Sequence, residues 1–183
     1  MMPEISLNIL DVTQNSVSAG ASLIQIDLLA DKSCDLLTLN ISDNGCGMTA
    51  EQVEQVTDPF FTSRSTRKVG LGIPFLKMAA ELAGGSFCIK SQPGCGTCVT
   101  ATFRLSDIDR MPLGDMAGTM TSLIATSPDV DFVLCIKQDD QGFTMDTRQF
   151  REILQEVPLS EPEVLSYIRN YICENMTCCC ICI

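Results

Sequence analysis

The chain contains no histidine and no tryptophan, and only 12 of its 183 residues are Lys or Arg, against 23 Asp or Glu. The missing histidine excludes imidazole metal ligands, histidine general bases and a phosphoaccepting histidine within these residues. A net charge of -11 argues against nucleic acid as a partner, because a surface that tracks phosphates needs clustered cations. No run approaches the ~20 apolar residues that cross a bilayer. The opening Met1-Met2-Pro3-Glu4 has neither a basic n-region nor an apolar h-region. A cytoplasmic protein with no membrane span is expected. In that reducing setting the 11 cysteines are expected as free thiols or small buried hydrophobes rather than a disulfide framework.

What is present suffices for a globular core: hydrophobic residues make up 45% of the chain. Residues 4–20 read as a helix with Ile5, Ile9, Val12 and Ser16 along one stripe, Leu10 and Val17 beside it, and Gly20 as its stop. Asp11 and Asn15 stand one turn apart and share a face, extended by Asn8 and Ser18. Residues 23–30 and 35–42 alternate as half-buried strands do, with a turn at Asp31-Lys32-Ser33. Thr49 with Gln52 forms a capping box that opens a short helix to about Thr57. Residues 58–69 read as a loop. Residues 71–83 read as a helix that tolerates Pro74 in its first turn and ends at Gly84-Gly85. Two strands follow, 86–92 and 97–105, joined at Pro93-Gly94-Cys95-Gly96. Beyond a change of composition near 107–114, the pattern predicts a helix near 115–126, strands at 131–137 and 142–146, and helices near 147–156 and 161–176.

Four segments carry candidate chemistry, and each has a plain structural reading beside the functional one. Asp11 to Ser16 lies on a helix that could simply be amphipathic. Asp43-Asn44-Gly45-Cys46-Gly47-Met48 could be ordinary turn chemistry. In the segment from Asp58 to Ile73, the aromatics could be core and Arg64, Arg67 and Lys68 a solvated face. A local basic spot in so acidic a chain instead suggests a small anionic ligand. Gly70-Leu71-Gly72 then opens a helix whose free N–H groups and positive dipole end suit phosphate. Gly94-Cys95-Gly96-Thr97 could be a hairpin start.

Taken together, in this order and at these separations, the segments resemble the N, G1, F, G2 and G3 boxes of the GHKL (histidine kinase-like, Bergerat-fold) ATPases over roughly residues 5–105. The resemblance implies an α/β protein, a two-layer α/β sandwich (Bergerat fold). Residues 1–106 are expected as the ATP-binding domain, 107–172 as a small α+β C-terminal appendage, and 173–183 as a Cys-rich tail. It implies ATP and Mg²⁺ as ligands, with the amide oxygen of Asn15 on Mg²⁺. It makes Asp11 the general base toward water or a hydroxyl. The family often has Glu there, and Asp is shorter by one methylene, about 1.5 Å of reach. Asp43 would accept from the adenine amino group, an ionised acceptor for a purine that presents a donor. Gly45, Gly47 and Met48 would bring backbone close to the ring. Phe61 and Thr62 would belong to a lid anchored by aromatics, with Arg64 and Lys68 on the phosphates, Gly70, Leu71 and Gly72 at the phosphate-facing helix start, and Thr97 reaching the adenine. Lys68 stands where a first glycine is common.

Two functions remain open at this point. One is phosphoryl transfer, as in anti-sigma-type serine kinases or an ATPase, with an unidentified protein as phosphoacceptor or partner. The other is a non-catalytic, ATP-gated module that presents its lid and C-terminal region to a partner. A homodimer is compatible with either. Cys173, Cys178, Cys179, Cys180 and Cys182 match no zinc-ribbon or ferredoxin spacing, so an apolar or disordered end is expected there rather than a metal. Cys95-x-x-Cys98 could pair across its turn, but Cys98 more simply fills a strand position.

Overall fold

The computed structural model describes residues 4–57 and 71–178. The first helix, α1 (Ile5–Ser18), buries Ile5, Ile9, Val12 and Ser16, the stripe expected from the periodicity. Its first free backbone donors are taken by a segment distant in sequence: Ile5 N–H donates to Pro112 O at 3.0 Å and Ser6 N–H to Leu113 O at 2.9 Å. Gly20, at φ +74°, turns the chain out of the helix, a conformation that glycine enters without a Cβ penalty.

Strands β1 (Leu23–Asp31) and β2 (Leu36–Asp43) pair antiparallel. Alternation sends Ile24, Ile26, Leu28 and Ala30 from β1, and Leu37, Leu39 and Ile41 from β2, into the core. The connecting turn is held by Asp31, whose carboxylate accepts from Ser33 N–H, Ser33 Oγ and Cys34 N–H. Helix α2 (Ala50–Thr57) opens with the expected capping box: Thr49 N–H donates to Gln52 Oε1 at 2.9 Å and Gln52 N–H to Thr49 Oγ1 at 3.3 Å. Helix α3 (Gly72–Leu82) carries Pro74 in its first turn. Strands β3 (Phe87–Gln92) and β4 (Gly96–Arg104) form the next hairpin.

The remaining elements are α4 (Met116–Thr126), β5 (Asp131–Gln138), β6 (Gln141–Asp146), α5 (Thr147–Leu154) and α6 (Pro162–Cys178). Their bounds lie within about two residues of the expected ones at most ends. The six strands form one sheet in the order β3-β4-β2-β1-β5-β6. Among the described strands, only the β1–β5 pair is parallel. The inward residues of the far strands, Phe132, Leu134 and Ile136 on β5 and Phe143 and Met145 on β6, share a face with those of β1. Helices α1, α3, α4 and α6 cover that face, and the opposite face carries exposed or half-buried residues such as Gln25, Asp27 and Thr38. The result is the two-layer α/β sandwich. Residues 107–172 supply β5 and β6 to the same sheet and α4 and α6 to the same helical layer, and the hydrophobic cluster runs without a break across residue 106.

Two local expectations change. Asn8 is not part of an open polar stripe. It is 1% exposed, donating to Glu4 O at 3.0 Å and to Met111 Sδ at 3.7 Å, because the 111–113 segment folds over that side of α1. The β1–β2 turn falls at Lys32–Asp35 rather than at Asp31-Lys32-Ser33, since β1 keeps Asp31 paired with Leu36.

Candidate nucleotide site

Alternation along β2 brings a carboxylate to the end of a hydrophobic series. Leu37, Leu39 and Ile41 point inward, and Asp43 is the next position of the same parity. Its cross-strand partner on β4 is Thr97, whose own cross-strand partner on β3 is Ser91. Asp43, Thr97 and Ser91 thus form one row across three strands, on the helix-covered face and at its rim.

The row is tied to its surroundings by hydrogen bonds. Ser16, the only polar member of the α1 stripe, donates from Oγ to Asp43 Oδ2 at 2.6 Å, a charge-assisted distance. Gly45 N–H donates to Asp43 Oδ1 at 2.9 Å. Ser91 Oγ lies 2.8 Å from Met48 N, 2.9 Å from Gly96 O and 2.9 Å from Thr97 Oγ1. Asn44 holds the base of the loop: its Oδ1 accepts from Ser22 N–H and Leu23 N–H, and its Nδ2 donates to Ser22 Oγ.

The glycines of this loop do something more specific than clear space for a ring. A Cβ on Gly47, already at φ +66°, would collide with the carbonyl of Gln92. One on Gly45 would press on Ala19 O and Asp43 Oδ1 at 3.0 Å each. Their absence lets the 44–48 loop lie directly on α1 and on the β3–β4 turn, with Gly94 N–H donating to Cys46 O at 2.8 Å and Cys46 N–H to Ala19 O at 3.0 Å.

A second group of residues gathers on α1. Asp11 and Asn15 are both half-buried. Gly72 opens α3 against Asp11, so that a Cβ there would collide with Asp11 Oδ2. No side chain caps α3, which leaves its first N–H groups beside that carboxylate. Asn15 Nδ2 is buried with no hydrogen-bond partner among the described residues, and the same is true of Thr13 Oγ1 and Asn8 Oδ1. An amide buried at one end and one turn from a carboxylate supplies oxygen donors of the type a hard divalent cation takes.

The structure therefore brings together Asp11, Asn15 and Gly72 on one side, and Asp43, Gly45, Gly47, Met48 and Thr97 on the other. The Ser16–Asp43 hydrogen bond joins the two groups. Leu71 precedes α3 and is 45% exposed. Phe61, Thr62, Arg64, Lys68 and Gly70 lie outside the described residues. Ser16 and Asn44 lie within the motif segments but carry no assigned role there, and Ser91 lies outside them, yet the structure places all three at the candidate site. The signal for two of them is positional: a serine in an otherwise apolar helical stripe, and a serine at the inward end of an alternating strand. Cys46, Cys95 and Cys98 are free thiols. Cys173 is free and exposed, while the Cys178 side chain and residues 179–183 lie outside the described residues. No described cluster of three or more His, Cys, Asp or Glu could hold a metal, and no described helix is long and apolar enough to cross a membrane.

Known proteins resemble this chain in fold and in sequence. The fold is similar to that of the Aquifex aeolicus MutL ATPase domain complexed with ADP, with a TM-score of 0.51 and 12% identity, over 85% of this chain and 70% of that one. A putative sensor protein of Shewanella frigidimarina is 30% identical over 107 residues, which is 58% of this chain and 16% of that protein. The sensor protein kinase FleS of Pseudomonas aeruginosa is 33% identical over 92 residues, 50% of this chain and 23% of that protein. The virulence sensor protein BvgS of Bordetella bronchiseptica is 21% identical over 154 residues, 81% of this chain and 12% of that protein. The chain thus spans less than a quarter of the length of these curated relatives. Residues 2–107 match the family described as histidine kinase-, DNA gyrase B- and HSP90-like ATPase, more than half of the chain. That match, over the same residues that build the strand-end row and the Asp11–Asn15 helix, supports ATP binding and makes this chain a member of that ATPase family.

Proposed function

We propose that the chain binds Mg·ATP at the rim between α1, α3 and the ends of β2 and β4, and transfers the γ-phosphoryl group to a protein or to water. The observation that carries this reading is the placement of Asp11 against the open N-terminus of α3, joined through α1 and Ser16 to the Asp43–Thr97 row. One end of the site offers acceptors for a base. The other offers a carboxylate for the nucleophile's proton, an amide for a metal ion and free helix N–H groups for phosphates.

Asp43 accepts from the amino group of the adenine, held in place by Ser16 and Gly45. The first N–H groups of α3 orient the phosphate chain, and Arg64 and Lys68 neutralise its charge. Asn15 would hold the magnesium ion, whose contribution is to offset phosphate charge and restrict phosphate geometry. Asp11 takes the proton of the attacking hydroxyl or water as that oxygen bonds to the γ-phosphorus and the bond from this phosphorus to the β,γ-bridging oxygen breaks, releasing ADP. These 183 residues contain no histidine, so the acceptor is another kind of group or lies outside them. Positioning and charge neutralisation supply the rate enhancement.

Incubation with labelled Mg·ATP, alone and with cell extract, tests the proposal. Released phosphate or a labelled protein is the expected product. Tight binding with neither product would assign the domain to an ATP-gated interaction module instead. Asp11→Asn is expected to keep nucleotide affinity by calorimetry while turnover falls at least about a hundredfold. Unchanged turnover retires Asp11 as the base.

A further inference from the structure

We propose that Ser91, which lies outside every motif segment, fixes the hydrogen-bond polarity of Thr97 and so makes the strand-end row selective for a 6-aminopurine over a 6-oxopurine nucleotide. The inference rests on the nucleotide-binding reading above and assigns to a specific side chain the discrimination between base edges.

A serine hydroxyl has one hydrogen to give and two lone pairs to receive. Ser91 Oγ has three close polar neighbours: Met48 N–H, Gly96 O and Thr97 Oγ1. The Met48 N–H can only donate, which occupies one lone pair. The Gly96 carbonyl can only accept, which takes the hydrogen. What remains on Ser91 is a lone pair, and all three contacts are satisfied together only if Thr97 donates to it. The Thr97 hydrogen is then committed toward β3, and Thr97 Oγ1 keeps only lone pairs for anything that approaches the row.

Its neighbour across the β2–β4 ladder behaves the same way. Asp43 Oδ2 accepts from Ser16 and Oδ1 from Gly45 N–H, and an ionised carboxylate has no hydrogen to offer. The two adjacent polar groups of the row are therefore both acceptors. An exocyclic amino group meets them with donors. A 6-oxo group meets them with lone pairs, and a site that leaves polar groups facing like partners discriminates strongly.

Calorimetric titration of the full chain with Mg·ATP and Mg·ITP, which differ at the 6-position, tests this. The wild type is expected to prefer ATP. Ser91→Ala releases the Thr97 hydroxyl to rotate and donate, and the ATP-to-ITP affinity ratio is expected to fall about tenfold. Ser91→Thr, which keeps a hydroxyl, is expected to restore it. Thr97→Val alone should also lower the ratio, and in that background Ser91→Ala should change nothing further. Should Ser91→Ala weaken both nucleotides equally, Ser91 would only buttress the 44–48 loop and the proposal would be overturned. A wild type that binds ATP and ITP alike overturns it too. A wild type that binds neither removes the nucleotide reading itself, an outcome distinct from the loss of selectivity.

Discussion

The β5–β6 end of this sheet and helix α1 treat their polar groups in opposite ways. At the β5–β6 end they are closed off. Thr147 Oγ1 receives Phe132 N–H at 2.8 Å and donates toward Asp131. Asp131 also receives Arg151 Nε at 2.8 Å. Asp115 accepts Gly118 N–H at 2.7 Å as the cap of α4 and Arg169 from α6 at 2.8 Å, and these donors hold its carboxyl below the usual range. Phe143, Phe150, Tyr167 and Tyr171 pack edge to face beside this network. On α1, by contrast, Asn8, Thr13 and Asn15 each bury a side-chain polar atom without a partner among the described residues. Leaving such an atom unpaired costs about 1–3 kcal/mol. One region spends its hydrogen-bonding capacity on the fold, and on α1 the unpaired amide of Asn15 stands one turn from Asp11 at the candidate site.

Substitutions can break that contrast, and the one expected to do most damage is Gly47→Ala. Its Cβ would meet the Gln92 carbonyl at a φ of +66°, so both stability and nucleotide affinity should fall, stability by about 3 kcal/mol in urea unfolding. A wild-type midpoint would mean that the 44–48 loop can lift off the turn. Asp43→Asn is next. It removes the charged acceptor yet leaves Ser16 a carbonyl oxygen to donate to, so ATP affinity should drop by about 2–3 kcal/mol with little change in melting temperature. If melting moves and affinity does not, the carboxylate belongs to the fold rather than to the ligand.

Thr147→Val should show the reverse pattern. It strands a buried Phe132 N–H, which should cost about 2 kcal/mol of stability, while calorimetry should find nucleotide affinity unchanged. The smallest effect is expected from Thr13→Val, a swap of similar shape at a fully buried position. Loss of the unpaired hydroxyl should stabilise the apo protein by about 0.5–1 kcal/mol. A simultaneous loss of ATP affinity would show that the ligand claims Thr13 Oγ1.

Much of this fold was legible from local pattern. The α1 stripe, the Thr49–Gln52 box, the glycine stops and the alternation in β1 to β4 each act within a few residues, and each appears in the structure. The C-terminal elements were legible one by one for the same reason. Their arrangement was not: the parallel pairing of Leu23 with Asp131 joins residues more than a hundred positions apart and leaves no local mark. The burial of Asn8 depends on Met111 in the same way. In the site, motif order pointed to Asp43 and Thr97, which the register sets side by side. The purpose of Gly47 could not be read, because the atom it avoids is a carbonyl on a distant turn. Ser91 is marked in the sequence only by its place at the inward end of an alternating strand, and its role depends on three neighbours from outside that strand.

The parallel contact between β1 and β5 carries a consequence for anyone shortening this protein. Cut after residue 106, the ATPase-like half would lose the strand that covers Leu23–Ala30 on one side, and α4 would no longer shield α1. A bare, aliphatic strand margin is a template for other chains, so such a fragment should aggregate rather than stay monomeric. Solubility of the nucleotide-binding half is thus borrowed from the half that bears none of its motifs.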